Sequence, residues 1–279
     1  MEGVTQSATA YFARPGVNWT SLKRMDDSAL AYKHGIDNPR PDTADLAIGR
    51  VVHALVFEPE TLKVDYAIYE GGDRRGKEWD AFKAANEGKT IFKPNELTAA
   101  AAMAAAVKAH DLVKPYLKGG KFEQVMEWAD PITGMRCKCR TDWTVENIET
   151  LVDLKTTRSI NMRRFAADVG RFGYHGQHAH YGDGCTHALG WTPKRHLLIA
   201  VEKLAPYDVA VYELDGDAIE AVKAKVVELM EKLQWCRDND RWPGRQFDWD
   251  AHLSREETLT LPGWVFGGGE PEVTYDEEE

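Results

Sequence analysis

The chain has 279 residues, 43% of them hydrophobic and 29% charged, with a formal net charge of -10. That length holds one large domain or two small ones, and the balance is that of an ordinary globular protein. The acidity excludes a broad nucleic-acid-coating surface, and no apolar run approaches the ~18 residues of a membrane span, so no membrane partner is expected.

The charge is unevenly placed. The last ten residues, EPEVTYDEEE, hold six acids and no base, and without them the net charge is -4. Basic residues gather at DRRGK (73–77), MRCKCR (135–140) and TTRSINMRRF (156–165). Any contact with DNA is thereby expected in a confined channel. The N-terminus lacks a basic segment followed by an apolar one, so no signal peptide is expected. Cys137, Cys139, Cys185 and Cys236 form neither a C-x-x-C pair nor a dense framework, which fits free thiols in a reducing cytoplasm.

In chain order, residues 17–35 read as a helix opened by a Thr20 or Ser21 cap, and 43–60 as a second helix ended near Pro59. Residues 61–94 are mixed, with a turn at Gly71-Gly72, and 95–117 form an alanine-rich helix stopped by Pro115. The texture then changes to three strands, 121–129, 135–144 and 148–155. Turns at Asp130-Pro131 with Gly134, and at Glu146-Asn147, separate them. Along the second strand Cys137 and Cys139 share one face, and Arg136, Lys138 and Arg140 the other. A helical region over 160–190 follows, then a buried strand at 195–203, its neighbour at 207–214, and a long amphipathic helix over 216–237. The order predicts an α/β fold with a mixed central sheet flanked by helices. We expect one domain over 1–262, with a helical N-terminal part (1–117), a core over 118–245, and a disordered acidic tail over 263–279.

The chemistry-bearing stretch is TLVDLKTTRSINMRRF, residues 150–165. On a strand, Asp153 and Lys155 point to the same side. Asp142 lies on the preceding strand, and a short antiparallel turn brings it beside Asp153. Two carboxylates at one point repel each other unless a cation sits between them, and an oxygen-rich site of this kind suits Mg²⁺. Taken singly, Asp142 is a turn cap and Asp153–Lys155 an ion pair; together, with flanking arginines, they point to metal-dependent phosphodiester chemistry. His175, His178 and His180 do not have a usual zinc spacing. Cys137 and Cys139 alternate on a strand, which rules against an iron–sulfur cluster. GGDRRGK lacks the P-loop spacing, so no ATP-driven activity is expected.

CKCRTDWTVENIETLVDLKTT resembles the motif of the PD-(D/E)XK nucleases, specifically their RecE-like (exonuclease VIII) branch. GRVVHALVFEPE is similar to that branch's upstream helix with its histidine, here His53, and FGYHGQHAHY to the Q-x-x-x-Y helix shared with RecB-type nucleases, here Gln177 and Tyr181. VEKLAPYDVAVYEL and CRDNDRWPG resemble the closing strands and the end of the C-terminal helix, so the resemblance spans roughly residues 15–245. It departs at Thr141, where the branch commonly has proline.

The resemblance implies a PD-(D/E)XK core with a helical N-terminal extension. It implies a Mg²⁺-dependent exonuclease, with Mn²⁺ able to substitute, that degrades linear double-stranded DNA 5′→3′ and leaves 3′ single strands for recombination. Asp142, Asp153, the carbonyl of Leu154 and His53 would hold metal, and Lys155 would position the water and stabilise developing charge. Glu123 is the expected further ligand, with Glu127 as its rival at the same strand parity. Gln177 and Tyr181, four apart on a helix, share a face and would hold DNA, or else pack the helix onto the sheet. Without that resemblance, His53 amid VVHALVF reads rather as a core histidine. Arg140, Arg158, Arg163 and Arg164 are candidate phosphate contacts, the alternative being a solvated basic face. A toroidal homo-oligomer, a tetramer, and a single-strand annealing recombinase are the implied partners, and a phage origin the implied source. Two other classes stay open: a structure-specific endonuclease or RecB-like nuclease module, and a non-catalytic DNA-binding assembly protein on the same core.

Overall fold

The structure is a computed structural model, described here for residues 11, 13–39 and 43–266. The acidic segment from residue 267 onward lies outside the described residues; just before it, Gly263–Phe266 form one 3-10 turn.

Among the described residues, the longer helices and strands carry the architecture. In chain order they are α1 (Ala29–Asp37), α2 (Ala44–Phe57), β1 (Tyr66–Ile68), α3 (Gly76–Ala85), β2 (Thr90–Phe92), α4 (Pro94–Ala109), β3 (Lys121–Ala129), β4 (Arg136–Val145), β5 (Thr150–Thr157), α5 (Met162–Phe172), α6 (Tyr174–Gly184), β6 (Arg195–Glu202), β7 (Val209–Glu213) and α7 (Gly216–Asn239). The central sheet runs β3-β4-β5-β6-β7. Its neighbours are antiparallel except β5 and β6, which are parallel. A parallel pair needs a crossover, and α5 and α6 supply it. The mixed sheet is thus the one expected from the element order.

Several boundaries differ from the sequence reading, each for a local reason. The helix over 17–35 is two pieces. Trp19–Leu22 is capped by Asn18, whose Oδ1 accepts the Ser21 amide, and α1 restarts at Ser28, whose hydroxyl accepts the Ala31 amide. Asn18 and Ser28 are the stronger caps because each precedes its helix in extended backbone. The alanine-rich helix ends at Ala109, before Pro115, which instead opens the turn Lys114–Leu117. The expected helical region 160–190 breaks at Gly173, whose φ of 72° suits glycine alone without strain, and it closes in a π turn, Cys185–Leu189. The mixed stretch contains α3 and a small parallel pair, β1 with β2.

Two apolar clusters sandwich the sheet. Val51, Val52 and Val56 of α2 and Met103 and Val107 of α4 pack with Trp143, Val152, Leu154 and Leu197. Met126, Trp128, Cys137 and Cys139 pack with Trp19, Ala179, Leu229 and Leu233. The four cysteines are buried free thiols. No helix among the described residues is long and apolar enough to cross a membrane.

The crossover helix α6 sits close because it is lined with glycine. A methyl group on Gly176 would run into the ring of Trp19, and one on Gly184 would come within 2.9 Å of Cys139 Sγ. Trp19 is itself anchored, its Nε1 donating to the Gly173 carbonyl at 2.8 Å. Gly176→Ala is therefore an overpacking change, expected to cost about 1–3 kcal/mol. Thermal unfolding should show a drop of about 2–4 °C for each kcal/mol. A midpoint equal to wild type would mean that Trp19 yields freely.

Candidate metal centre

The register of the sheet lines up three carboxylates. β4 pairs with β5 through Trp143–Val152, Thr144–Leu151 and Val145–Thr150. The next pair in that register is Asp142 with Asp153, and there the ladder stops. On the other side of β4, pairing runs through Phe122–Trp143 and Gln124–Thr141 and skips Glu123, which lies opposite Asp142. Glu123 has a φ of 49°, a left-handed backbone unusual outside glycine. Such strain persists only where surrounding contacts hold it. Glu123, Asp142 and Asp153 thus form a row across three adjacent strands.

β5 stays paired to β6 as far as Thr157, while its other edge is released from β4 beyond Val152. The backbone polar groups of Leu154 find other partners. Its amide donates to Asp142 Oδ2 at 2.8 Å, and its carbonyl accepts from His53 Nε2 at 2.8 Å. His53 Nδ1 lies 3.4 Å from Asp142 Oδ2. One donor atom each from His53, Glu123 and Asp142 falls within 4.8 Å of the others.

Beside this cluster stands a second group. Lys155 Nζ is 2.5 Å from Asp153 Oδ2 and donates to Gln177 Oε1 at 3.1 Å. The amide nitrogen of Gln177 donates to Asp153 Oδ1 at 3.1 Å and to the Tyr181 hydroxyl at 2.8 Å. Gln177 and Tyr181 share a face of α6, as their spacing requires, and Gln177 bridges both members of the Asp153–Lys155 pair. Lys155 Nζ also sits 4.6 Å from the centre of the Tyr174 ring.

Crowding sets the protonation. Burial, and then the charge of Asp142, push Asp153 up to about 7 and Glu123 up to about 8. Burial also works to raise Asp142, but the charge and hydrogen bond of His53, with Lys155 and the Leu154 amide, hold it below the usual carboxylate range. Burial alone would lower His53; Asp142 and Glu123 outweigh it and push the ring up to about 9. Lys155 is likewise held above its usual value by Asp153 and Asp142 against the effect of burial. Asp153 and Glu123 stay raised despite these neighbouring cations, so the row is short of compensation, and a divalent cation is the natural remedy. Carboxylates with an imidazole and a carbonyl are a donor set that fits one.

The structure brings Glu123 rather than Glu127 to this point. Glu127 is engaged by Arg14 at 2.9 Å and Arg136 at 2.5 Å. Arg140 lies between two carboxylates, its Nε 3.0 Å from Glu123 Oε2 and its terminal nitrogen 2.9 Å from Glu58 Oε2. Arg158, Arg163 and Arg164 are exposed where β5 gives way to α5, outside the cluster. His175 faces the Val169 carbonyl, His178 faces His196, and His180 faces the Lys138 carbonyl. Lys138, from the basic strand face, is buried and donates to the carbonyls of Tyr11 and Arg14.

Sequence reasoning missed Glu58 and Tyr174. Tyr174 was findable, since it lies three residues before Gln177 and so one helical turn away on the same face. Glu58 had no such signal, because it lies five residues past His53 in the expected helix and so off its face.

These charges make the metal-free protein sensitive to alkali. Glu123 and Asp153 ionise at about 8 and about 7 when folded, against the ordinary 4.5 and 3.8. A raised acid stabilises the fold below its unfolded pKa and loses that contribution as pH climbs through the folded value. His53, raised to about 9 from 6.5, acts in the same direction at higher pH. The thermal midpoint in chelator should therefore fall between about pH 4 and pH 9, and an added divalent cation should restore most at the alkaline end. Asp153→Asn should flatten the lower part of that fall. A midpoint that rises with pH in chelator would contradict this account of the site.

No curated protein sequence matches the chain. A crystal structure from Eubacterium rectale, named "Putative exonuclease", superposes with a TM-score of 0.64 at 12% identity, covering 96% of this chain and 100% of that one. A phage related exonuclease from Haemophilus somnus 129PT gives a TM-score of 0.36 at 12% identity, covering 84% of this chain and 100% of that one, too low to carry an argument. The first likeness shows a shared fold. The family described as a PDDEXK-like domain of unknown function (DUF3799) matches residues 18–249, most of the chain and every residue of the cluster. With that match, the mixed sheet and the D…D-x-K row in place, the chain belongs to this PDDEXK-like family.

Proposed function

We propose that the protein is a metal-dependent nuclease that degrades linear double-stranded DNA from its ends. The observation that carries this reading is the row Glu123–Asp142–Asp153 with His53 on one side and Lys155–Gln177 on the other. Carboxylates and an imidazole, groups able to hold a cation, there stand beside a fixed ammonium near the end of β5, which supports the reading. The exonuclease name of the structurally similar Eubacterium rectale protein agrees with it. RecE-like resemblance in the motifs adds the finer proposals: Mg²⁺ as the physiological ion, 5′→3′ polarity, a 3′ overhang for recombination, a tetrameric ring, and a single-strand annealing partner.

The residues divide the work by position. His53, Glu123, Asp142, Asp153 and the Leu154 carbonyl are the groups that would hold the cation. When bound, it supplies Lewis-acid polarisation of a phosphoryl oxygen and lowers the pKa of a water. Lys155 stays charged between two carboxylates, so it serves as a donor to negative charge developing on the phosphate rather than as a proton acceptor. Gln177 keeps that ammonium and Asp153 in one orientation, and Tyr181 keeps Gln177.

A linear duplex labelled at either 5′ or 3′ end tests the proposal, with a closed circular duplex as the control. Mg²⁺ should support loss of the 5′ label from the linear form and leave the circle intact. Asp153→Ala should abolish cleavage. Lys155→Met should lower the single-turnover rate by about 10²-fold or more while Mn²⁺ still binds by calorimetry. Cutting of the circle as fast as the linear form would replace the exonuclease with an endonuclease. Full activity of Asp153→Ala would end the assignment altogether.

A further inference from the structure

Phe172, at the end of α5, is 43% exposed, yet the backbone at and just after it is held. Lys23 Nζ donates to its carbonyl at 2.9 Å, and Trp19 holds the carbonyl of the next residue, Gly173. The left-handed turn at Gly173 brings Phe172 beside Tyr174, with ring centres 5.7 Å apart and planes inclined by 32°. Tyr174 in turn carries Lys155 over its ring, and the Arg171 guanidinium lies 5.7 Å from the Phe172 ring centre. An aromatic path thus leads from the reactive ammonium to solvent. α5, which ends in it, has three arginines against one aspartate. Phe172 thus presents part of a large ring to solvent on a fixed backbone, beside its contacts with Tyr174 and Arg171. Bases stack on aromatic faces whatever their sequence, and arginine pairs with the phosphates between them.

We propose that Phe172 and Tyr174 form a stacking step for unpaired nucleobases at the DNA end, an inference that rests on the nuclease reading above. Two steps, of 4.6 Å and 5.7 Å, lead from the Lys155 ammonium through the Tyr174 ring to the Phe172 ring, roughly three base steps of about 3.4 Å. The step therefore receives the strand adjoining the scissile phosphate, and its ligand is single-stranded DNA rather than intact duplex.

The test is binding of a duplex with a short single-stranded overhang carrying 2-aminopurine, with the full chain in Ca²⁺ and with cleavage checked on a gel. Phe172→Ala and Phe172→Leu should each weaken binding by about 5- to 150-fold, the size of one base–aromatic stack. The slope against salt should stay unchanged, since no charge is lost. Phe172→Trp should keep wild-type affinity, and the aminopurine should be quenched by wild type and Phe172→Trp only. If wild type binds the overhang and folded Phe172→Leu binds it equally tightly, the stacking step is wrong and the nuclease reading stands. If wild type binds no DNA, both fall.

Discussion

Buried negative charge governs this molecule. Asp142 sits on the middle of three strands with Glu123 opposite on one side and Asp153 on the other. None of the three is more than a tenth exposed. Carboxylates that close cannot all ionise in a poorly solvated site, so each neighbour of the row answers that charge. Arg140 lies against Glu123, His53 against Asp142, and Lys155 against Asp153. The cations are spread along the row, each facing a different carboxylate.

The sheet makes room for the row by failing locally. Had β4 and β5 stayed paired beyond Trp143–Val152, the peptide of Leu154 would have been consumed by the ladder. Its release leaves an amide and a carbonyl that need partners, since buried backbone groups are nearly always satisfied. Asp142 takes the amide and His53 the carbonyl. The unusual backbone of Glu123 belongs to the same local exception, in a sheet otherwise regular. Strain and unpaired edge thus coincide at the carboxylate row.

The rest of the fold delivers side chains to that gap. α2 is long enough to carry His53 on its core-facing side between Val52 and Ala54, so the helix that packs the sheet also reaches its open edge. α6 approaches closely because glycine lets it, and the closeness puts Gln177 within hydrogen-bond reach of both Asp153 and Lys155. Packing and site geometry share residues, which explains why the chemistry stands on strands and helices rather than on loops.

Residue types and their spacing were enough to determine the strands, the mixed sheet, the pairing of Asp142 with Asp153, the shared side of Asp153 and Lys155, and the common face of Gln177 and Tyr181. The shared faces follow from periods of two and 3.6, and the sheet and the Asp142–Asp153 juxtaposition from element order and a short turn, all of them local signals. Other features needed three dimensions. Glu123 and Glu127 have the same parity on β3, and only the left-handed backbone at one and the arginine partners of the other separate them. His53 by its residues alone read rather as a core histidine, because nothing in VVHALVF says that a strand edge opens beside it. Arg140 looked like a free cation until Glu58, eighty-two residues away in the chain, came to lie against it. Local pattern decides which face a side chain takes; which partner meets it there depends on contacts between distant segments, and those exist only in the folded chain.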